Sequence, residues 1–275
     1  MGRRNFYDII RNSPINVKAE YDRIYELYAG EAYVCCIEEW VDERFIDFPK
    51  SFRKRTVSLE DFNNTYGFRF DKYGSKREKS TDVLLTFCEY VINLCNQLCE
   101  AEGIFYEEDE SLEILYEAIH DCVDELGLME VKKEDIIIYV EKNPTAVAVA
   151  EIVPEEIAYS VLEYNHFRLK GDLSRKKAIL KLMADDIESE RKTLKGINGN
   201  LETQLYQLMN KFVRHDHSQT PYIATMKEEE IEAVYDDIYQ MWLLAKMEMD
   251  QVERGKKVKE LLREMNGGCI NTSYL

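Results

Sequence analysis

Long apolar runs are missing from this chain: no stretch approaches the roughly 18 residues that a helix needs to cross a bilayer, so no membrane partner is expected. Proline and glycine are scarce, at 5 and 12 in 275 residues. Both residues punctuate turns, and their shortage argues against a strand-and-turn architecture. Histidine is scarcer, with four in the chain, which confines imidazole chemistry to a few places. Positive charge is in deficit. The 36 Lys/Arg face 53 Asp/Glu, a net charge of −17, which argues against nucleic acid binding over the whole surface. Cysteine is present, but seven is an odd number spread without a framework. Cys88, Cys95 and Cys99 share a helix face with apolar neighbours and read as small buried hydrophobes; a metal site from Cys95 and Cys99 would lack further ligands. The first residues lack the apolar stretch and cleavage pattern of a secretory signal, so a cytoplasmic location is expected.

What is present favours helices. Hydrophobic residues make up 45% of the chain, enough for a buried core. Apolar and aromatic positions recur at helical spacing over 17–43. Ser80 as N-cap and Gly103 as terminator bracket a strong helix whose stripe is Leu84, Phe87, Val91, Leu94 and Leu98. A second runs from Ser111 to Leu126 before Gly127, with His120 beside its stripe as a packing or surface residue. Between these regions, 45–79 breaks the rhythm and reads as a loop or short-strand excursion. Its interleaved Phe52, Arg53, Arg55, Arg69, Phe70, Lys72 and Tyr73 would suit stacking on single-stranded nucleic acid, or pinning a loop to the core. Residues 136–140 have strand character, and 146–150 read as a second strand or a buried helical turn. Pro154 with Glu155-Glu156 starts a helix, Asp172 or Ser174 caps the next, and Asn200 opens another. The last helix, roughly 227–265, would extend near 58 Å at about 1.5 Å per residue. The expected fold is mostly α: a multi-helix bundle with a long C-terminal helix and a small hairpin near 135–150. Its parts would be an N-terminal region 1–133, a connecting segment 134–153 and a C-terminal domain 154–275.

Charge is uneven. Residues 49–79 carry nine Lys/Arg against four Asp/Glu, and 166–217 carry eleven against seven. The second island ends in the densest polar cluster of the chain, Arg214-His215-Asp216-His217, at the junction of one helix with the loop before the last. Three chemistries fit. An imidazole would serve as general acid or base in RNA cleavage, with the guanidinium on the phosphate. His215 and His217 with Asp216 would begin a metal site, completed by His166, Asp236 or Asp237. Or Arg214 and His215 simply complement the negative end of a helix dipole, with Asp216 shaping the turn. Tyr235 and Tyr239, one turn apart on the last helix, either flank this cluster or pack the helix.

An Arg with a neighbouring His at a helix end in an all-helical chain resembles the HEPN superfamily, over residues 154–265 at most. Those helical domains are common among prokaryotic toxins and abortive-infection proteins; many are RNases, and many act as dimers. Arg214-His215 matches the Arg-polar start of their motif. The later His would fall near 219–221, where the chain has Gln219, Thr220 and Pro221, so His217 arrives early. The resemblance implies a defence-type protein acting on RNA without a metal or other cofactor. Arg214, His215 and His217 would be its catalytic centre, with Lys211, Arg175 and Lys177 guiding the strand. The alternative is a non-enzymatic interaction protein. In either case the long C-terminal helix is the expected surface for a homo-oligomer.

Overall fold

The computed structural model describes residues 15–30, 36–71, 79–215 and 221–267. The chain divides into two compact units, Met1–Lys142 and Asn143–Leu275. The boundary falls inside the expected connecting segment, between a strand that closes the first unit and a helix that opens the second.

The first unit contains α1 (Val17–Ala29), α2 (Ile37–Arg44), the short α3 (Lys50–Arg53), α4 (Leu59–Tyr66), α5 (Thr81–Glu102), α6 (Glu110–Glu125), β1 (Leu128–Lys133) and β2 (Ile136–Glu141). Helix α5 is its axis. Ser80 Oγ accepts the Val83 N–H, and Gly103, at φ +70°, ends the helix in the left-handed region. Its expected stripe is fully buried, and α1 and α6 pack against it. Cys88 and Cys95 lie in this core, Cys99 at its edge. Burial pushes the Cys95 thiol up, away from thiolate chemistry.

The excursion at 45–79 differs from expectation. Where described, it is helical, in a turn at Phe45–Asp47 and in α3 and α4, and it contains no strand. Phe45, Phe48 and Phe62 are buried. Phe52 stacks on Phe62 at 5.6 Å between centroids, Phe68 stacks on Phe62, and Phe70 tilts against Phe87. Arg53 donates to the carbonyls of Phe48 and Thr56. The rings find one another, so the aromatic platform offered to nucleobases is spent on the core. Lys72 and Tyr73 lie outside the described residues.

The hairpin exists, but its first strand precedes the expected segment. β1 pairs antiparallel with β2 from Leu128 opposite Glu141 to Lys133 opposite Ile136, around a turn at Glu134-Asp135 with Glu134 at φ +54°. The other edge of β2 is closed by side chains of α5. Asn93 donates to the Ile137 carbonyl and accepts its N–H, both at 2.8 Å, and Glu89 accepts the Tyr139 N–H. The 146–150 segment is a helical turn because Asn143 caps the N–H groups of Thr145 and Ala146 and Pro144 suits the first helical position.

The second unit contains α7 (Pro144–Ala150), α8 (Glu155–Glu163), α9 (Leu173–Glu188), α10 (Arg191–Ile197), α11 (Gly199–Leu208), a π-helical turn (Met209–Arg214), the short α12 (Pro221–Ala224) and α13 (Glu228–Gly267). Asp172 caps α9, and Asn198 rather than Asn200 caps α11. Helices α9 and α13 run parallel: Lys176 meets Asp236, the Trp242 indole N–H donates to the Met183 carbonyl at 3.0 Å, and Lys246 meets Asp186. Trp242, Leu243 and Ala245 are fully buried, and among the described residues Met249 is the last buried one of α13. Among the described residues no helix is long and apolar enough to cross a membrane.

Candidate functional site

Three polar or apolar surfaces of the second unit compete as the working site. The first is the end of the π-turn. Met209, Phe212 and Val213 face the core, which leaves Lys211 exposed and brings Arg214 round toward α9. There the guanidinium donates to the Ala184 carbonyl at 2.7 Å and pairs with Glu188 at 2.6 Å. Asn210 accepts from it one turn back. Arg214 is therefore three-quarters covered and held by α9. His215 is exposed, and its carbonyl accepts from Lys177 Nζ at 3.3 Å. Asp216 and His217 lie outside the described residues. Arg175 is turned away: Glu163 clasps its guanidinium at 2.6–2.9 Å.

So Arg214, His215 and Lys177 come together, with Lys211 one turn before His215. Lys181, one turn beyond Lys177, points along the same stripe of α9 as Ala184 and Glu188. Lys177, Lys181 and Lys211 make no ion pair among the described residues. Chemically, this end could neutralise phosphates. For Arg214 to take a scissile phosphate, it would first have to leave Glu188.

The metal arrangement gains nothing from its proposed distal ligands. His166 Nδ1 accepts the Arg168 N–H, and Asp236 is held by Lys176 and by the Tyr164 hydroxyl. Among the described residues no group of three His, Cys, Asp or Glu is placed to hold a metal. His120 is half exposed beside Glu130, whose carboxylate raises its pKa.

The second surface was hidden from sequence reasoning: a charged ladder between α9 and α13. Lys176, only 6% exposed, bridges Glu232 at 2.8 Å and Asp236 at 2.7 Å. Burial opposes its charge, but the two carboxylates raise its pKa overall. Ten residues along each helix the donor changes sides: Lys246 of α13, 7% exposed, reaches Asp186 of α9 and Glu190 just past its end. Tyr239 stacks on Tyr164 at 4.1 Å and donates to the Val161 carbonyl, so it packs α13 onto α8. Such a ladder fixes the register of two parallel helices. Its signal in the sequence was faint: two lysines standing on otherwise apolar stripes.

The third surface is the outer face of α13. Past Met249 every residue to Met265 is solvent-facing except Asp250 and Gly255, which are part-covered. Val258, Leu261 and Met265 are 52%, 54% and 62% exposed. The long helix was legible in the sequence, as was its more polar end beyond Gly255, read as projecting or pairing with another chain; which of its apolar residues stay exposed was not. An open groove of about 660 Å³ runs beside the point where α13 leaves the bundle, lined by Ala148, Glu151, Ile197, Met247, Glu248 and Gln251 among others.

No family model, no curated protein and no solved structure matches the chain, so the functional argument rests on these three surfaces.

Proposed function

We propose that this chain is a helical interaction protein whose working surface is the outer face of α13. One observation carries the reading: α13 continues for about four turns past its last buried residue while keeping Val258, Leu261, Leu262 and Met265 in water. A helical segment of that length is marginal by itself, and a contiguous exposed apolar stripe marks a partner surface. The charged ladder supports the reading, because it holds the first half of α13 rigid and so presents the second half in one direction. The test is a photo-crosslinking amino acid placed at Leu261 in the cells that produce the protein. A discrete adduct at Leu261, absent from the exposed Lys227 on the same chain, is expected. Equal, diffuse labelling at both positions overturns the reading.

A second reading, action on RNA at Arg214 and His215 with His217, is favoured by Lys177, Lys181 and Lys211, which make no ion pair among the described residues. It expects metal-free cleavage that Arg214→Ala abolishes at unchanged melting temperature. An RNA-inactive wild type, together with a lowered melting temperature for Arg214→Ala, assigns Arg214 to holding the π-turn on α9.

A further inference from the structure

The exposed face of α13 has an internal symmetry. Positions 237, 240, 244, 247, 251, 254, 258, 261 and 265 are separated alternately by three and four residues, and all nine are exposed. That is the seam of a coiled coil. Along it, Asp237 and Gln240 come first, then the apolar pair Leu244 and Met247, then the polar pair Gln251 and Arg254, then the apolar Val258 and Leu261, with Met265 last. From Leu244 to Leu261 the order is the same read backwards.

We propose that a second copy of this chain covers the seam, with the two α13 helices antiparallel about a two-fold axis between Val252 and Glu253. In antiparallel pairs the layers match unlike seam positions. This axis places Leu244 opposite Leu261 of the second copy, Met247 opposite Val258, and Gln251 opposite Arg254. These four apolar positions meet apolar positions and the central polar layer meets itself; only the end layer, Met265 opposite Gln240, is mixed. A shift of one heptad in either direction sets Gln251 or Arg254 against leucine or valine.

Charge agrees with the same register. The groove beside Met247 carries Glu151, Glu248 and Asp250, against one cation of the same chain, Arg254, which pairs with Asp250. Glu248 spends one carboxylate oxygen on Asn198 at 3.0 Å, and its other oxygen is buried without a hydrogen-bond partner. The tip that the second copy would lay there is basic, with Arg254, Lys256, Lys257, Lys259 and Arg263 against Glu253, Glu260 and Glu264. In the stated register Lys257 of the second copy comes beside Asp250, on the same side of the seam, and the two-fold repeats the contact at the far end. The paired stretch, 240–265, is about 38 Å long at roughly 1.5 Å per residue.

This inference rests on α13 being the working surface, and its test separates the two. Sedimentation of the full chain should give a species of twice the 32.4 kDa chain mass at tens of micromolar protein. Leu261→Asp, at an exposed position, should return it to the monomer with unchanged helicity. Asp250→Lys should weaken the dimer about tenfold, and Asp250→Lys with Lys257→Asp should restore it. A monomeric wild type overturns the second copy as occupant; if Leu261 still gives a discrete adduct in cells, another partner takes the seam and the interaction reading stands. A monomer that sediments with vesicles containing anionic lipid overturns the inference in favour of a membrane surface. A dimer indifferent to Leu261→Asp, or a charge swap whose losses simply add, overturns the proposed register.

Discussion

The two halves of α13 both carry apolar residues at helical spacing and live in opposite environments. From Ile231 to Met249 the helix sends Tyr235, Ile238, Tyr239, Trp242, Leu243 and Ala245 into the core, and even its Lys246 is buried against two carboxylates. From Asp250 to Met265 it carries five more large apolar residues, Val252, Val258, Leu261, Leu262 and Met265, and buries none of them. Apolar spacing therefore dictates a helix in both halves but does not say what the helix packs on. In the first half the answer lies within the chain. In the second half the apolar residues sit among lysines and arginines, which suits a surface that is exposed before it is covered.

The comparison can be broken most severely at its buried end. Trp242→Ala should cost about 3–5 kcal/mol of unfolding free energy, because a fully enclosed indole is deleted and the Met183 carbonyl loses its donor. Chemical denaturation measures it, and a loss below about 1 kcal/mol would mean that the core collapses around the gap. Lys176→Met should cost less, about 2 kcal/mol, because Asp236 is half exposed and can return to water while Glu232 cannot.

The same substitution should also change the acid limb of the stability curve. Burial opposes the Glu232 charge, but hydrogen bonds from Lys176 and the Gly171 N–H outweigh it and hold the carboxyl below its ordinary value. A folded-state pKa below the unfolded one gives stability that is full above the ordinary carboxylate range. It is lost as the pH falls through the folded value. Lys176→Met should therefore flatten the loss of stability between neutral and acid pH; an unchanged slope would detach Glu232 from the ladder. The smallest effect belongs to the other half: Val258→Asp should leave the unfolding free energy of the monomeric chain within about 0.5 kcal/mol. A larger loss in dilute protein would show that this face is buried within its own chain.

Much of this architecture was legible in the sequence. Ser80 and Gly103 marked the ends of α5, and Pro154 with two glutamates marked the start of α8, because caps act through local bonds. What depended on distant partners was not. The weakly patterned Leu128–Lys133 becomes a strand only because β2 pairs with it. The aromatics of 45–79 looked available because nothing local reveals that Phe52 and Phe62 stack on each other. Arg214 was open to a phosphate or to its own helix end; that Glu188, 26 residues earlier, would claim it depends on how α9 passes the π-turn. The ladder escaped notice for the same reason, since Lys176 and Lys246 find carboxylates across a helix pair and not along one.

The π-turn has one more consequence. Each such widening inserts a residue into an α-helix and advances the phase of everything after it by about 100°. Arg214 meets the Ala184 carbonyl because of that advance. Removing a single residue between Met209 and Val213 would restore an even winding, swing the guanidinium off α9, and redirect the polypeptide that leads to α12. The heading of the chain as it leaves α11 is thus set by the count of residues, more than by their identity.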